Sequence, residues 1–372
     1  MRRNIIYNIV ILSAVILLAG CAGAGEREVM SDVQRRQRDM AEIDPMRELL
    51  EDKYGDCKET GGEIAFVSDG SLSDEDSSQA LYEGIQIYAL SAGVSFSHYT
   101  AQETDMQGHL QVIEHAVRNQ ARLVVCCGHE FAQAVGEIWE DYPEVSFLLI
   151  DGEQEEELGD NVHQVLFREE EAGYLAGYMV VLEGYRRLGF IGGREDTASS
   201  NYECGYLQGI EEAAARLELE EGAVEVESWF AGADEPSPKV YEKASEWYAQ
   251  GMEVIFACGG DLPASVLSAA KKEDGLLIGA DVDKSALSEQ FLTSAEKGIA
   301  QAVVISLDEY YAAGGKWPEE MAGQSVRYGV SQNCGGIPVL DTEWRFKNVT
   351  MEKFYEIYKK IRQGEISVSH RR

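Results

Sequence analysis

The segment Leu123–Cys127 reads LVVCC and is followed at once by Gly128, a pattern typical of a buried strand that ends in a glycine turn. Similar short apolar runs recur along the chain from Glu63 onward. The predicted strands are Ile64–Val67, Val94–Tyr99, Leu123–Cys127, Val145–Ile150, Val162–Phe167, Leu188–Ile191, Val224–Trp229, Val254–Cys258, Leu276–Gly279 and a return near Val326–Val330. Nearly continuous apolar strands are typical of parallel sheets that are covered by helices on both faces.

Longer amphipathic segments alternate with these strands and predict helices. The predicted helices are Ser77–Leu90, Asp105–Asn119, Ala132–Asp141, Glu170–Leu182, Tyr202–Leu217, Pro238–Gln250, Pro263–Lys272, Ser294–Ala313 and Met351–Arg362. The alternation occurs in two series, and 372 residues are enough for two domains. The sequence therefore predicts an α/β fold with two Rossmann-like lobes.

Charge excludes one class of function. The chain has 32 Lys and Arg against 66 Asp and Glu, which gives a net charge of −34. Affinity for nucleic acid depends on Lys and Arg that displace counterions from phosphates, so we expect no nucleic-acid partner.

The N-terminal residues predict an export signal. Arg2 and Arg3 precede an apolar run from Ile5 to Ala19, which is shorter than the about 20 residues that a membrane span needs. The run ends in Leu18-Ala19-Gly20-Cys21, which resembles the bacterial lipobox and implies cleavage before Cys21 and lipidation of its thiol. An ordinary signal peptide or a short membrane anchor are the alternatives. We therefore expect a signal peptide over 1–20, a tether and helical extension over 21–60, and a lipid-anchored protein on the extracytoplasmic face of the cell membrane.

Glycine and aspartate follow nearly every predicted strand. Ligands of doubly wound sheets bind at these carboxyl ends of strands. Glycine lets the backbone approach a ligand, and aspartate accepts pairs of hydrogen bonds such as neighbouring sugar hydroxyls donate. Single turns favour both residues for local reasons too, but their recurrence favours a shared cleft. The strand ends in question are Asp69-Gly70, Gly128, Asp151-Gly152, Gly192-Gly193, Gly259-Gly260-Asp261 and Asp281.

Motifs for catalysis are absent from the sequence. The run from Gly128 to Gln133 (GHEFAQ) is similar to a zinc-protease helix, but Gln133 stands where the second histidine is needed. No Walker loop, G-x-S-x-G elbow or G-x-G-x-x-G occurs. We expect no enzyme, no metal site and no cofactor, with a nucleoside-processing hydrolase as the alternative among enzymes.

Several ordered blocks together carry a family resemblance. They are Val67–Asp74, Tyr142–Phe147 with Asp151, Phe167–Gly177, Gly189–Gly193, Gly205–Gly209, and Asp281–Asp283 with Thr293–Lys297. From about Glu63 to about Val368 the chain resembles the basic membrane protein family, the purine-nucleoside-receptor-like lipoproteins that serve as substrate-binding proteins of ABC transporters.

The resemblance implies a type I periplasmic-binding-protein fold, in which two lobes are joined by a three-crossover hinge. The crossovers are expected near Phe167, Ser288 and Arg327. This places 61–167 and about 289–326 in the N-lobe, and 168–288 and about 327–372 in the C-lobe. A monomer would then close around a small ligand and deliver it to an ABC permease. A sensor subunit for a membrane receptor is the alternative.

The resemblance also implies a site. In relatives that bind purine nucleosides, two rings sandwich the base and carboxylates hold the ribose. Asp281 matches the ribose-binding aspartate, Lys297 the lysine that follows it, and Asp69 the first aspartate. Tyr202 stands at the second stacking position. The turn of Gly259 and Gly260 matches backbone near the ligand, and Gly128 joins them as a candidate at its strand end.

Two of the matching positions depart from the family pattern. Ser77 stands in place of the stacking Phe, and Ser78 in place of the following Asn. One face of the sandwich is therefore missing unless Tyr82 or Phe131 supplies it. The sequence predicts a nucleoside-like ligand, with a purine nucleoside first, and leaves a different small polar or cationic ligand as the alternative.

Overall fold

The computed structural model describes residues 63–70, 72, 77–153, 158–339 and 344–370. The predicted signal peptide, Cys21 and the extension over 21–60 lie outside the described residues. None of the helices within the described ranges is long and apolar enough to cross a membrane.

Strands and helices alternate along the described residues, as predicted. The strands are β1 (Glu63–Ser68), β2 (Phe96–Thr100), β3 (Ala121–Cys127), β4 (Ser146–Ile150), β5 (Val162–Phe167), β6 (Arg187–Gly192), β7 (Glu225–Phe230), β8 (Val254–Cys258), β9 (Leu276–Asp281), β10 (Phe291–Lys297), β11 (Ser325–Tyr328) and β12 (Gly335–Gly336). The helices are α1 (Ser77–Ala92), α2 (Met106–Arg118), α3 (His129–Ile138), α4 (Glu169–Glu183), α5 (Thr197–Arg216), α6 (Pro238–Ala249), α7 (Pro263–Glu273), α8 (Ile299–Ala312) and α9 (Met351–Arg362).

The strands form two sheets, one in each lobe. The first lobe has the order β11-β5-β4-β3-β1-β2, and all of its strand pairs are parallel. The second lobe has the order β12-β10-β9-β8-β6-β7, in which only β12 pairs antiparallel. Parallel order directs the carboxyl ends of the strands in each lobe to one edge, which is where the Gly and Asp turns lie.

Alternation along the strands builds a core on both faces of each sheet. In β1, Ile64 and Phe66 pack with residues of α1 and α8, whereas Ala65 and Val67 pack with residues of α2 and α3. The second lobe has the same arrangement, with α4, α5 and α9 on one face and α6 and α7 on the other. Because both faces are covered, these strands are apolar throughout rather than alternately polar.

One predicted segment differs in the structure. Ser294–Ala313 was expected to be one helix, but its first residues belong to β10, which pairs with β9 in the second sheet. The chain therefore passes back to the first lobe at Gly298, rather than near Ser288. A Cβ at Gly298 would lie 2.5 Å from Cα of Cys334, so this passage requires glycine. The other passages follow Phe167 and Tyr328.

Candidate functional site

Lys297, the last residue of β10, joins the two lobes. Its Nζ donates to both carboxylate oxygens of Asp151 at 2.9 and 2.8 Å, and Asp151 follows β4 in the first lobe. The same Nζ lies 3.1 Å from Oδ1 of Asp281, the last residue of β9 in the second lobe. The lysine side chain is only 5% exposed. One buried ammonium thus holds a strand-end carboxylate from each lobe at the floor of the cleft.

Both aspartates have left-handed backbone. The φ angle is 57° at Asp151 and 69° at Asp281. This region disfavours most side chains, although Asp tolerates it better than most. Such conformations concentrate at functional sites, where the surrounding structure holds them. Here each turns a carboxylate away from its strand and onto Lys297.

Tyr202 of α5 fixes Asp281 from the second lobe. Its hydroxyl lies 3.2 Å from Oδ1 of Asp281 and 3.2 Å from the Ala295 carbonyl, so it can donate to either. Burial and the nearby Asp281 raise the pKa of Tyr202 well above its ordinary value, which keeps the hydroxyl protonated as a donor. The side chain is buried and meets Phe256 edge to face. Stacking of the Tyr202 ring on a ligand stays a prediction.

Glu169, the first residue of α4, supports the cluster from behind. Its Oε1 lies 3.7 Å from Nζ of Lys297. Its Oε2 accepts from Arg327 at 3.2 Å and from the amide of Asn201 at 3.3 Å. Arg327 also donates twice to the Phe167 carbonyl, at 3.0 and 2.8 Å. These contacts tie the first and third passages between the lobes to the lysine at the second.

The next two glutamates continue this network. Oε2 of Glu170 lies 3.1 Å from Arg327, and Oε2 of Glu171 accepts from the Val330 backbone N–H at 2.7 Å. Acidic side chains are favourable at the start of a helix, where backbone N–H groups are free. Burial raises the pKa of both carboxyls, while Arg327 lowers it in each. The three buried glutamates at the start of α4 therefore lie at the passages between the lobes rather than at the surface.

The pKa values of Lys297, Asp281 and Asp151 depend on their burial and on the charges of one another. Burial alone would lower the pKa of Lys297, but Asp151 and Asp281 raise it well above its ordinary value. For Asp281, burial opposes ionisation, yet Lys297 brings its pKa below the ordinary value. Burial raises the pKa of Asp151 to about 7, and Lys297 only partly offsets this. Lys297 and Asp281 are therefore charged at neutral pH, and Asp151 is the group poised to hold a proton.

A cavity of about 430 Å³ opens beside Asp281 and is bounded by both lobes. Ser77 at the start of α1 contributes from the first lobe, and Gly260, Asp261 and Lys284 contribute from the second. Its apolar wall consists of Pro263, Ala264, Leu267, Leu287 and Phe291. Ligand pockets of roughly 300–1,000 Å³ that combine an apolar wall with few polar groups are typical of small-molecule sites.

The predicted glycines lie at tight turns. Gly259 has φ 113°, and a Cβ there would lie 2.8 Å from Oδ1 of Asp234. Gly128 has φ 94°, and its carbonyl lies 2.3 Å from where a Cβ on Gly152 would be. The turn at Gly128 therefore lies directly against the turn at Asp151 and Gly152. A side chain at Gly152 would collide with the Gly128 carbonyl, so this contact requires glycine.

The remaining candidates lie on the first lobe and form a looser set. Asp69 at the end of β1 is 47% exposed, and Ser78 lies beside Ser77 in the first turn of α1. Tyr82 packs against the rings of Phe66, Phe96 and His98. Phe131 is buried against His109. Neither Tyr82 nor Phe131 lines the cavity beside Ser77, so neither supplies the missing ring there.

Some residues around Lys297 were not among the sequence candidates. Asp151 was recognised as a strand end, and that signal could have placed it in the site. Glu169, Asn201 and Arg327 carry no such signal, because their proximity to Lys297 depends on the way the passages between the lobes meet.

Several known proteins are similar to this chain in sequence. A family model described as "Bmp: ABC transporter substrate-binding protein PnrA-like" matches residues 62–372. A "CD4+ T-cell-stimulating antigen" of Listeria monocytogenes is 25% identical over 328 residues, which cover 82% of this chain and 87% of the relative. The "ABC transporter nucleoside-binding protein BmpA" of Lactococcus lactis is 23% identical over 228 residues, which cover 58% of this chain and 62% of the relative.

A solved structure supports the fold. The ABC transporter solute-binding protein from Aeropyrum pernix K1 matches with a TM-score of 0.62 at 20% identity, over 82% of this chain and 87% of that one. The predicted fold class, two α/β lobes of the type I periplasmic-binding-protein kind, is confirmed.

Proposed function

The chain belongs to the PnrA-like family of ABC transporter substrate-binding proteins, and from this premise we propose that its ligand is a nucleoside. Membership confirms the family resemblance that the sequence motifs indicated. Proteins of this family bind solutes for transporters and are not enzymes.

The observation that carries the proposal is the position of Asp151 and Asp281 on opposite lobes around one lysine. Neighbouring ribose hydroxyls donate hydrogen bonds in pairs, and carboxylates accept them in pairs. A ligand that contacts both aspartates binds the closed arrangement of the lobes better than the open one, and so shifts the population toward closure. No bond in the ligand is made or broken.

The cavity supports a ligand of nucleoside size. Its polar side chains include those of Asp261, Asp281 and Lys284, and its wall is largely aliphatic. Hydroxyls and ring nitrogens of a nucleoside would bond to these polar side chains, while the base would contact the apolar wall. The Lactococcus relative is named a nucleoside-binding protein, which supports the same ligand class.

We propose further that Cys21 carries a lipid that tethers the monomer to the extracytoplasmic face of the membrane, from which it delivers the ligand to an ABC permease. Attached acyl chains contribute about 0.8 kcal/mol per buried CH₂ to the free energy of membrane binding. The full chain should incorporate labelled fatty acid in bacterial cells, and a Cys21→Ala variant should not. Equal labelling of both proteins would contradict the anchor.

A thermal-shift screen of the full chain in mild detergent tests the ligand class. The panel contains nucleosides, nucleobases, sugars and polyamines. Ligand at 100 times Kd stabilises the native state by about 2.7 kcal/mol, so a specific nucleoside should raise the melting temperature. The shift should be lost in Asp281→Asn and kept in Asp283→Asn, because Asp281 lines the cavity, whereas Asp283 does not line it and accepts hydrogen bonds from the backbone N–H and hydroxyl of Ser285. A shift for polyamines or sugars without one for any nucleoside would overturn the proposal.

A further inference from the structure

A buried histidine, His109, lies behind Asp69 at the first-lobe rim of the cleft, and one of its ring nitrogens has no hydrogen-bond partner among the described residues. His109 of α2 is 2% exposed, and its ring packs on Phe131 with the ring centroids 4.5 Å apart. Its Nε2 makes no hydrogen bond within the described residues. The carboxylate oxygen Oδ2 of Asp69 lies 3.8 Å from this nitrogen.

An unpaired nitrogen at this depth has an energetic cost. A buried polar group without a hydrogen bond loses the water that it had in the unfolded chain, so most such groups in native proteins are paired. The separation of 3.8 Å exceeds the about 2.7–3.2 Å of a hydrogen bond. A small movement of the half-exposed Asp69 side chain would close the gap, whereas the buried ring of His109 has little room to move.

The backbone next to Asp69 is already fixed from the opposite face of the sheet. Oγ of Ser68 lies 2.7 Å from Nε2 of His98 and 3.2 Å from the Gly70 carbonyl. Burial lowers the pKa of His98, so the neutral ring can donate to Ser68 while the hydroxyl donates to Gly70. The end of β1 is therefore held in place, and the Asp69 side chain is the part that remains free to turn.

We propose that His109 is the positioning residue for Asp69. When a ligand enters the cleft, Nε2–H of His109 donates to Oδ2 of Asp69 and directs the other carboxylate oxygen toward the ligand. This inference rests on the proposed nucleoside function. His109 would not touch the ligand and would act on binding only through the Asp69 carboxylate.

Two substitutions separate this role from packing. His109→Gln keeps an N–H donor near the position of Nε2, and His109→Leu keeps the apolar bulk without the donor. With inosine as the probe and the full chain in detergent, calorimetry should show about tenfold weaker binding in His109→Leu. The Gln variant should bind within about threefold of the wild type. In an Asp69→Asn background, His109→Leu should have no further effect on affinity.

A matched control is available in the same lobe. His163 of β5 is also buried, and its Nε2 has no hydrogen-bond partner within the part of the chain that the structure describes. Its Nδ1 donates to the Met321 carbonyl, and two strands separate β5 from β1, the strand that Asp69 follows. His163→Leu should leave inosine affinity unchanged, whatever it does to stability. His109→Leu should bind more weakly without a lower melting temperature, because it removes an unpaired polar atom from the core.

The outcomes distinguish this inference from the function on which it rests. Equal weakening by His109→Gln and His109→Leu, or a loss that persists in the Asp69→Asn background, would overturn the positioning role and leave the nucleoside proposal intact. Unchanged binding in His109→Leu would do the same. Absence of inosine binding by the wild type, in a titration where another ligand class binds, would overturn both.

Discussion

The floor of the cleft and its first-lobe rim are built differently. The floor consists of Lys297, Asp151, Asp281 and Tyr202, whose polar atoms meet at 2.8 to 3.2 Å. At the first-lobe rim, which includes Asp69 and Ser77, the Asp69 side chain is half exposed and its Oδ2 lies 3.8 Å from Nε2 of His109 behind it. The floor is thus organised before a ligand arrives, whereas the rim is completed only in contact with one. Substitutions in the floor should change stability and binding, and those in the rim should change binding alone.

The largest expected effect is on the floor. In Lys297→Met, the buried carboxylates of Asp151, Asp281 and Glu169 lose their shared cation. Removing one partner of a buried ion pair costs about 3–5 kcal/mol, so the free energy of unfolding measured in urea should decrease by this amount. Lys271→Met, at an exposed position of α7, is the control and should unfold like the wild type. A loss below about 1 kcal/mol would mean that the floor is not a stabilising unit.

Asp281→Ala should have the next largest effect, this time on the ligand. An unpaired buried partner costs about 2–5 kcal/mol of binding free energy, so calorimetry with inosine should show roughly a 30-fold or larger loss. Asp283→Ala is the matched control two residues away. If both variants bind inosine alike, Asp281 does not contact the ligand.

Ser77 offers a gain of function at the rim. Ser77→Phe would place a ring on the wall of the cavity that Ser77 lines. Stacking of a base on an aromatic side chain contributes about 1–3 kcal/mol, so a purine nucleoside should bind about ten- to a hundredfold more tightly. Free ribose is the matched ligand, since it has no base and should gain nothing. An equal gain for both, or none for either, would show that the base does not lie against this wall.

The smallest expected effect concerns pH. The pKa of Asp151, raised to about 7 by burial, means that the folded protein binds a proton that the unfolded chain releases above about pH 4. The stabilisation that comes from this proton on Asp151 is fully present below pH 4 and is lost as the pH rises through 7. Between pH 5 and 8 the wild type should therefore lose at least about 1 kcal/mol more stability than Asp151→Asn, as measured by urea unfolding. Parallel profiles for the two proteins would show that Asp151 is ionised throughout.

The sequence was sufficient for most of the fold. Apolar strands and their glycine turns predicted both lobes, because each signal is local to a few residues. It failed at Ser294–Ala313, where an amphipathic pattern ran through the end of β10 into α8. The break at Gly298 depends on a contact with Cys334, far along the chain, which no local pattern reveals.

The site was predictable to the extent that strand ends mark it. Asp281, Lys297 and Gly260 were candidates from their motifs, and they lie at the floor or the cavity. Glu169 and Arg327 were missed, since their meeting with Lys297 requires the three passages between the lobes to converge. The proximity of His109 on α2 to Asp69 after β1 likewise depends on tertiary packing, and no sequence spacing indicates it.

Hydrogen–deuterium exchange of the full chain with and without inosine shows directly whether the ligand is captured between the two lobes. We predict slower exchange on adding inosine in peptides from both lobes, those that contain Asp151 and Gly128 and those that contain Asp281 and Gly260. The Asp281→Ala variant should show neither change at the same inosine concentration. Slower exchange in one lobe only, or in peptides away from the strand ends, would contradict a ligand held between Asp151 and Asp281.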